Sequence, residues 1–251
     1  MNKNKLSILA AFLLAIIIGV FSCAKQSSPV VSTDYSFSEE FDTVSKSVAK
    51  GWVITNNTKP FGTIPWMQGF YYISQTHKSD GFGGVLHYPS AGGFGGNSPA
   101  DSPAFSGSDF ILTTSECGHD TANCSNWLIS PPVIIKNGDQ VSFYTRTYDN
   151  PSIAADRLEV RINTQSSNAD VGRDSNSTGG FTQVILDINP GYLLSGDGSY
   201  PGKWTKYTAT ISGLTAARKS RVAFRYYVPN GGPLGINGLG IGIDKFQFIS
   251  N

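Results

Sequence analysis

The chain has 251 residues, with 19 Lys and Arg against 18 Asp and Glu, for a net charge of +1. Near-neutrality lacks the basic excess on which nucleic-acid binding depends, so no nucleic-acid partner is expected. Charged residues make up only 15% of the chain while Gly occurs 28 times, a balance that argues against a helical bundle and fits short strands joined by many turns.

The N-terminus sets the compartment. Lys3 and Lys5 precede an apolar run over residues 6–20, and Cys23 follows at once. A positive start, a short apolar stretch and a small residue before the cut describe a secretory leader, and the stretch is shorter than the roughly 20 apolar residues of a membrane span. Val20-Phe21-Ser22-Cys23 resembles a bacterial lipobox, with Phe21 where a small residue is usual. The resemblance implies cleavage before Cys23 and diacylation of its thiol, so residues 1–22 are read as a signal peptide. Acyl chains bury many methylenes, each worth about 0.8 kcal/mol, and so hold a protein on a membrane. Residues 24–33, AKQSSPVVST, are small and polar and read as a flexible tether. Residues 34–251 are then one domain, held at the cell envelope by the lipid, on the outer membrane or cell surface. The chain from Cys23 onward, without Lys3 and Lys5, carries 17 basic and 18 acidic residues, a net charge of −1.

Period-two alternation predicts strands along this domain. Less regular candidates lie at 35–41, 52–55, 85–88, 110–113, 127–135, 181–187 and 204–211. Cleaner ones place Val141, Phe143 and Thr145, then Leu158, Val160 and Ile162, then Val222, Phe224, Tyr226 and Val228 on inward faces. Trp127, Phe143, Phe224 and Tyr226 are assigned to the core. In the last strand Ile241 and Ile243 share a face with Phe246 and Phe248, and the odd step from 243 to 246 predicts a bulge near Asp244 or Lys245. Asn137-Gly138-Asp139 predicts a tight turn. No sustained helical period follows the leader. Ten or more strands without helix alternation predict an all-β domain, a two-sheet sandwich or jelly roll.

Cys117 and Cys124 bracket a short loop in an exported chain, which points to a disulfide. A metal site from Cys117, His119 and Cys124 is the alternative, though it lacks a fourth ligand at zinc-like spacing. No Gly-x-Ser-x-Gly elbow is present, and His77, His87 and His119 form no triad pattern, so no catalytic residue is assigned. Asp156 and Glu159 point to opposite faces of a strand and read as solvated surface charge. Arg146, Arg157 and Arg225 read as an ion-pair ladder with them. Gly235–Gly242 lacks the strand-to-helix setting of a phosphate loop and reads as a hairpin turn and a close-packed strand. Trp66, Phe70, Tyr71 and Tyr72 cluster before a Gly-rich stretch at 81–107 that also holds Phe82 and Phe94. Exposed rings stack on sugars, so Trp66 and Tyr71 are the candidate ligand contacts, against a core role. Asp42-Thr43-Val44 and Asp120-Thr121-Ala122 resemble a short O-glycosylation signal of some Bacteroidetes, or are ordinary turns.

A family resemblance rests on ordered segments: Phe37-Ser38-Glu39-Glu40-Phe41, Asn126-Trp127-Leu128-Ile129-Ser130-Pro131-Pro132, Ser142-Phe143-Tyr144-Thr145-Arg146-Thr147 and Ala155-Asp156-Arg157-Leu158-Glu159-Val160-Arg161. Trp204-Thr205-Lys206-Tyr207, Ala223-Phe224-Arg225-Tyr226-Tyr227, Gly231-Gly232-Pro233 and Ile241-Gly242-Ile243-Asp244 follow in order. Together they resemble the choice-of-anchor J domain, which is related to the cleaved-adhesin domains of bacterial surface proteins. The resemblance implies a jelly-roll sandwich, an adhesive or carbohydrate-related role, and no catalytic motif. It also implies a structural Ca2+ where the first and last strands meet, with Glu40, Asp42 and Asp244 as carboxylate ligands. The expected function is binding of an extracellular ligand, a glycan or matrix protein, through the domain's loops. A secreted hydrolase or its accessory module, and a subunit of an outer-membrane assembly, are the alternatives.

Overall fold

The structure is a computed structural model that describes residues 35–70, 109–148 and 153–251. Cys23 with its leader and tether, His77, His87, Tyr71, Tyr72, Phe82, Phe94 and the expected strand at 85–88 lie outside the described residues. Thr33–Asn251 forms one contact-linked unit.

The described elements run β1 (Phe37–Glu39), α1 (Val44–Ala49), β2 (Val53–Asn56), β3 (Lys59–Phe61), β4 (Met67–Phe70), β5 (Asp109–Thr114) and β6 (Gly118–Ile129). After these come β7 (Val133–Ile135), β8 (Gln140–Arg146), β9 (Leu158–Ile162), β10 (Gln183–Ile188), β11 (Thr205–Thr210), β12 (Arg218–Ser220), β13 (Val222–Gly231) and β14 (Gly240–Ile249). One sheet has the order β11-β8-β14-β5-β4, with β1 also on β14; the other has β10-β9-β13-β6-β2, with β3 also on β6. Every pairing is antiparallel. From β5 onward the chain switches repeatedly between the two sheets, as a jelly-roll sandwich requires. The all-β expectation therefore holds.

The inward faces named from alternation meet in one core. Leu158, Val160, Ile162, Val222, Phe224, Tyr226 and Val228 come from one sheet, and Val141, Phe143, Ile241, Ile243, Phe246 and Phe248 from the other. An aromatic chain spans the gap: Phe143 on Phe224 at 4.8 Å, Phe224 on Phe246 at 5.8 Å, Phe246 on Trp52 at 5.1 Å and Trp52 on Phe41 at 4.9 Å, all edge-on. Such pairs contribute about 0.5–1.5 kcal/mol each beyond the area they bury. Trp127 is also buried, but on the outer face of its sheet, with Phe181 and Val171 from the 163–181 loop.

The expected bulge is present. Asp244 pairs with Tyr144 and Gln247 with Ser142, so β14 carries one extra residue, and Lys245 takes φ +47°. That residue turns Phe246 inward again. The 137–139 turn also forms, with the Asp139 N–H donating to the Lys136 carbonyl at 3.3 Å. It joins β7 to β8, which pair with other strands, so it is not a hairpin turn. The hairpin expected at Gly235–Gly242 is corrected, because residues 232–239 carry the chain from β13 in one sheet to β14 in the other. The strand expected over 127–135 is two strands, because Pro131 and Pro132 have no N–H to extend a ladder. The sequence reading overlooked α1. Its six residues are too short for a periodic signal, and Gly51 at φ +102° follows its end.

Candidate functional site

A cleft of about 370 Å³ opens where the strand ends of both sheets meet. Its walls are Thr114, Ser115 and Glu116 after β5, Tyr148 after β8, Ile153 and Ala154 before β9, and Gly232, Pro233, Gly235, Gly238 and Leu239 between β13 and β14. The wall at 114–116 is a 3-10 turn, closed by the Thr114 hydroxyl accepting the Glu116 N–H at 3.2 Å. The opposite wall needs glycine. Gly232 and Gly238 both sit at φ +84°; a Cβ on Gly232 would lie 2.2 Å from the Asp120 carbonyl oxygen, and one on Gly238 would lie 2.7 Å from the Tyr226 hydroxyl.

Asp156 holds this wall from behind and is fully buried. Its Oδ1 accepts the Tyr226 hydroxyl at 2.7 Å and the Leu239 and Gly240 N–H groups at 3.0 Å. Its Oδ2 lies 2.5 Å from the Thr147 Oγ1, which is also 2.8 Å from the Gly240 carbonyl oxygen. A hydroxyl has one hydrogen, and an ionised carboxylate and a carbonyl are both acceptors. Thr147 donates to the ionised carboxylate; below a pH of about 6 a proton on Oδ2 reverses that contact, so that Asp156 donates to Thr147 and Thr147 to Gly240. Burial pushes the Asp156 carboxyl up to about 6 against the opposing effect of its hydrogen bonds. Burial, then the charges of Asp156 and Glu116, likewise push the Tyr148 phenol up.

The Arg ladder is real in part. Glu159 accepts Arg157, Arg161 and Arg225 at 3.0, 2.7 and 3.1 Å, and Arg157 also holds Asp187 at 2.7 Å. Burial pushes the Glu159 carboxyl up, but the three guanidinium groups outweigh it and hold it below the usual carboxylate range. Arg225 stacks on Tyr227 at 3.8 Å and Trp127 at 5.0 Å and donates to the Ser175 carbonyl, while the Tyr227 hydroxyl donates to Asn176 at 2.9 Å. The cluster fastens the 163–181 loop over the sheet. Two expectations are corrected. Asp156 and Glu159 are buried rather than solvated, because a loop and a crossover cover the face on which each lies. Arg146 is fully buried and donates to the Thr147 carbonyl at 2.9 Å.

The carboxylates named for calcium share one corner. β1 leaves β14 after Glu39↔Phe246, beside the bulge that holds Asp244. Asp244 is 4% exposed and accepts the Lys245 N–H at 2.7 Å. Burial, with the charges of Glu40 and Asp42, pushes its carboxyl up to about 8. A buried carboxylate within the electrostatic reach of two others, Glu40 and Asp42, is the kind of place that suits a hard cation. Among the described residues, however, no three His, Cys, Asp or Glu side chains converge at metal-holding distance. This also removes the Cys117–His119–Cys124 metal site: His119 is exposed and pairs with Asp120 at 3.0 Å, while both cysteines are buried.

Cys117 and Cys124 are free thiols in this structure. Burial, then a hydrogen bond with Cys124, raises the Cys117 thiol well above its ordinary value. Trp66 is not at the surface but packed in the main core at 2% exposure, where its ring has no access to an external ligand. The sequence reading missed the cleft residues. Glu116 and Tyr148 sit outside any alternating run, and only the glycines at 231–242 marked the place.

No protein-family profile matches the chain, and no curated protein matches it. Solved structures do. The K1 cleaved adhesin domain of Lys-gingipain from Porphyromonas gingivalis W83 is 16% identical, with 86% of this chain and 99% of that domain covered and a TM-score of 0.50. The K2 cleaved adhesin domain of Lys-gingipain is 19% identical, over 86% and 100%, at TM-score 0.47. The CBM22-1 xylan-binding domain from Paenibacillus barcinonensis is 12% identical, over 86% and 95%, at TM-score 0.39. At these identities the likeness speaks to architecture: the chain shares its β-sandwich fold with the K1 cleaved adhesin domain.

Proposed function

We propose that this chain is an envelope lipoprotein of choice-of-anchor J type, and that its sandwich binds an extracellular glycan in the cleft between Glu116 and Pro233. The cleft itself carries the reading. It pairs hydroxyls at Thr114 and Ser115 and a glycine-exposed backbone with apolar surface at Ile153, Ala154 and Leu239. That mixture matches a sugar, which has hydroxyl edges and an apolar face. The adhesin fold of the K1 domain agrees with a binding role. Hydrolysis has less support. Glu116 is the one carboxylate among the described lining residues, and Asp156 behind it is occupied in holding the wall.

A glycan and matrix-protein array probed with the full chain in mild detergent tests the proposal. Saturable binding to a glycan, lost in Pro233→Trp, is the expected result; Pro233 is exposed, so the bulky ring fills the rim without entering the core. Binding that Pro233→Trp leaves intact moves the site elsewhere. For the anchor, a clickable palmitate analogue should label the wild type and not Cys23→Ala; equal labelling would discard lipidation.

A further inference from the structure

We propose that residues 232–239 form a strap along the cleft that loosens as the pH rises, with the Asp156 carboxyl as its latch. This movement of the wall does not depend on what the cleft binds.

The strap is held by hydrogen bonds more than by packing. Its Leu234 and Ile236 side chains are 71% and 74% exposed and add little apolar burial. The Leu234 N–H donates to the Asp120 carbonyl at 3.1 Å, Gly238 donates to the Ala155 carbonyl at 2.9 Å, and Leu239 and Gly240 both donate to Asp156 Oδ1 at 3.0 Å. Segments with few buried apolar contacts open locally at low cost. The Leu239 carbonyl accepts the Ser115 N–H at 3.3 Å, so a strap that lifts also parts the two walls of the cleft.

Asp156 couples this opening to pH. It is fully buried behind the Leu239 and Gly240 amides that it holds, so lifting the strap brings water to its carboxyl. Burial disfavours the ionised form and hydration relieves that cost, so deprotonation favours the lifted state. Ionisation also draws the Thr147 hydrogen to Asp156 Oδ2, away from the Gly240 carbonyl at the end of the strap. The folded value of about 6 lies above the ordinary 3.8, so the latch holds fully below about pH 4 and is lost as the pH rises through 6. Around it, burial keeps the Tyr226, Tyr148 and Tyr200 phenols and the Cys117 thiol in their neutral forms over this range. Glu116 acts on Tyr148, Cys124 acts on Tyr226, Arg146 donates to the Thr147 carbonyl at 2.9 Å, and His119 pairs with Asp120 at 3.0 Å by the outer tie. All of these remain when Asp156 alone is changed.

The experiment is hydrogen–deuterium exchange of the full chain in mild detergent at pH 5 and pH 8, corrected for the pH dependence of chemical exchange. In wild type, protection of the amides at 234–240 should fall about tenfold between the two, as a shift from 3.8 to about 6 requires, while staying below the protection of β9 throughout. Asp156→Asn keeps an acceptor for Leu239 and Gly240 and should remove that fall. A wild-type protection that does not fall overturns the proposal without reference to the variant. A fall that persists in Asp156→Asn belongs to another group and overturns the latch. Strap amides that exchange no faster than those of β9 open only with the whole domain, which overturns the strap.

Discussion

Replacing Asp156 by Asn should stabilise the protein at pH 8. The carboxyl is buried and its folded-state pKa is about 6, against an ordinary value of 3.8. The folded chain thus holds the proton more tightly than the unfolded chain. This group's contribution to stability is full below about pH 4 and is lost as the pH rises through 6. The difference of 2.2 units corresponds to about 3 kcal/mol between the two ends of that window. Asn reproduces the protonated acid: its Oδ1 accepts the Tyr226, Leu239 and Gly240 donors, and its Nδ2 donates to Thr147.

Urea unfolding of wild type and Asp156→Asn from pH 4 to 8 separates this group from all other titrations, which cancel in the difference. The two curves should lie close together at pH 4, diverge between pH 4 and 6 and stay parallel above that, with the variant ahead by up to about 3 kcal/mol at pH 8. Asp156→Ala removes the acceptor from three buried donors and should lose several kcal/mol at every pH. A variant Asn that is destabilised at pH 8, with a pH dependence parallel to wild type, would refute the protonated clasp. It would mean that the charge itself binds the crossover to the core.

Asp244 follows the same sign over a wider window. Its folded value of about 8 means that stability falls as the pH rises through 8, so Asp244→Asn in chelator should melt higher than wild type at that pH. If calcium occupies the corner with Glu40 and Asp42, adding Ca2+ should raise the wild-type melting temperature and leave the variant unmoved; a wild-type melt indifferent to Ca2+ discards the ion. Cys117 and Cys124 should join when the protein is exposed to oxidised glutathione, the two thiols giving up their hydrogens to reduce one glutathione disulfide. Non-reducing peptide mapping reads the bridge, and two alkylatable thiols after unfolding would exclude it.

Strand identity was legible because alternation is a property of one strand at a time. Leu158, Val160 and Ile162 announce their face without reference to any partner, and the step from Ile243 to Phe246 even betrays the bulge. Connectivity was not legible in the same way. Residues 137–139 and 232–239 have turn composition, yet the first leads from the two-stranded β7–β12 pair to the sheet of β8 and the second from one large sheet to the other, because turn chemistry specifies local φ and ψ and not which sheet the next strand joins. The site inherits that blindness. Glu116, Tyr148 and Pro233 come from three separate segments, and their convergence exists only once the sheets are stacked. Trp66 was misplaced for the converse reason: an aromatic beside a Gly-rich stretch reads as exposed, while its neighbours in the fold are the core.

The three Asp residues that the alternation leaves unexplained share one physical role. A sandwich whose chain changes sheet so often leaves backbone N–H groups at each departure, near the core and outside any ladder. Asp139 takes the Lys136 N–H at 2.8 Å and the Asn251 N–H at 3.1 Å. Asp156 takes those of Leu239 and Gly240 where β14 begins, and Asp244 that of Lys245 inside the bulge. A short side chain with two acceptor oxygens suits such places, since it reaches back to nearby amides without crossing the core. The cost is burial of a carboxyl, which Asp156 and Asp244 meet by a raised pKa. What these sites need is an acceptor and not a charge, so the amide should serve at Asp156, where every contact is a protein group. Asp244 is the case where amide and carboxylate diverge, because a cation bound there would need the charge that Asn lacks.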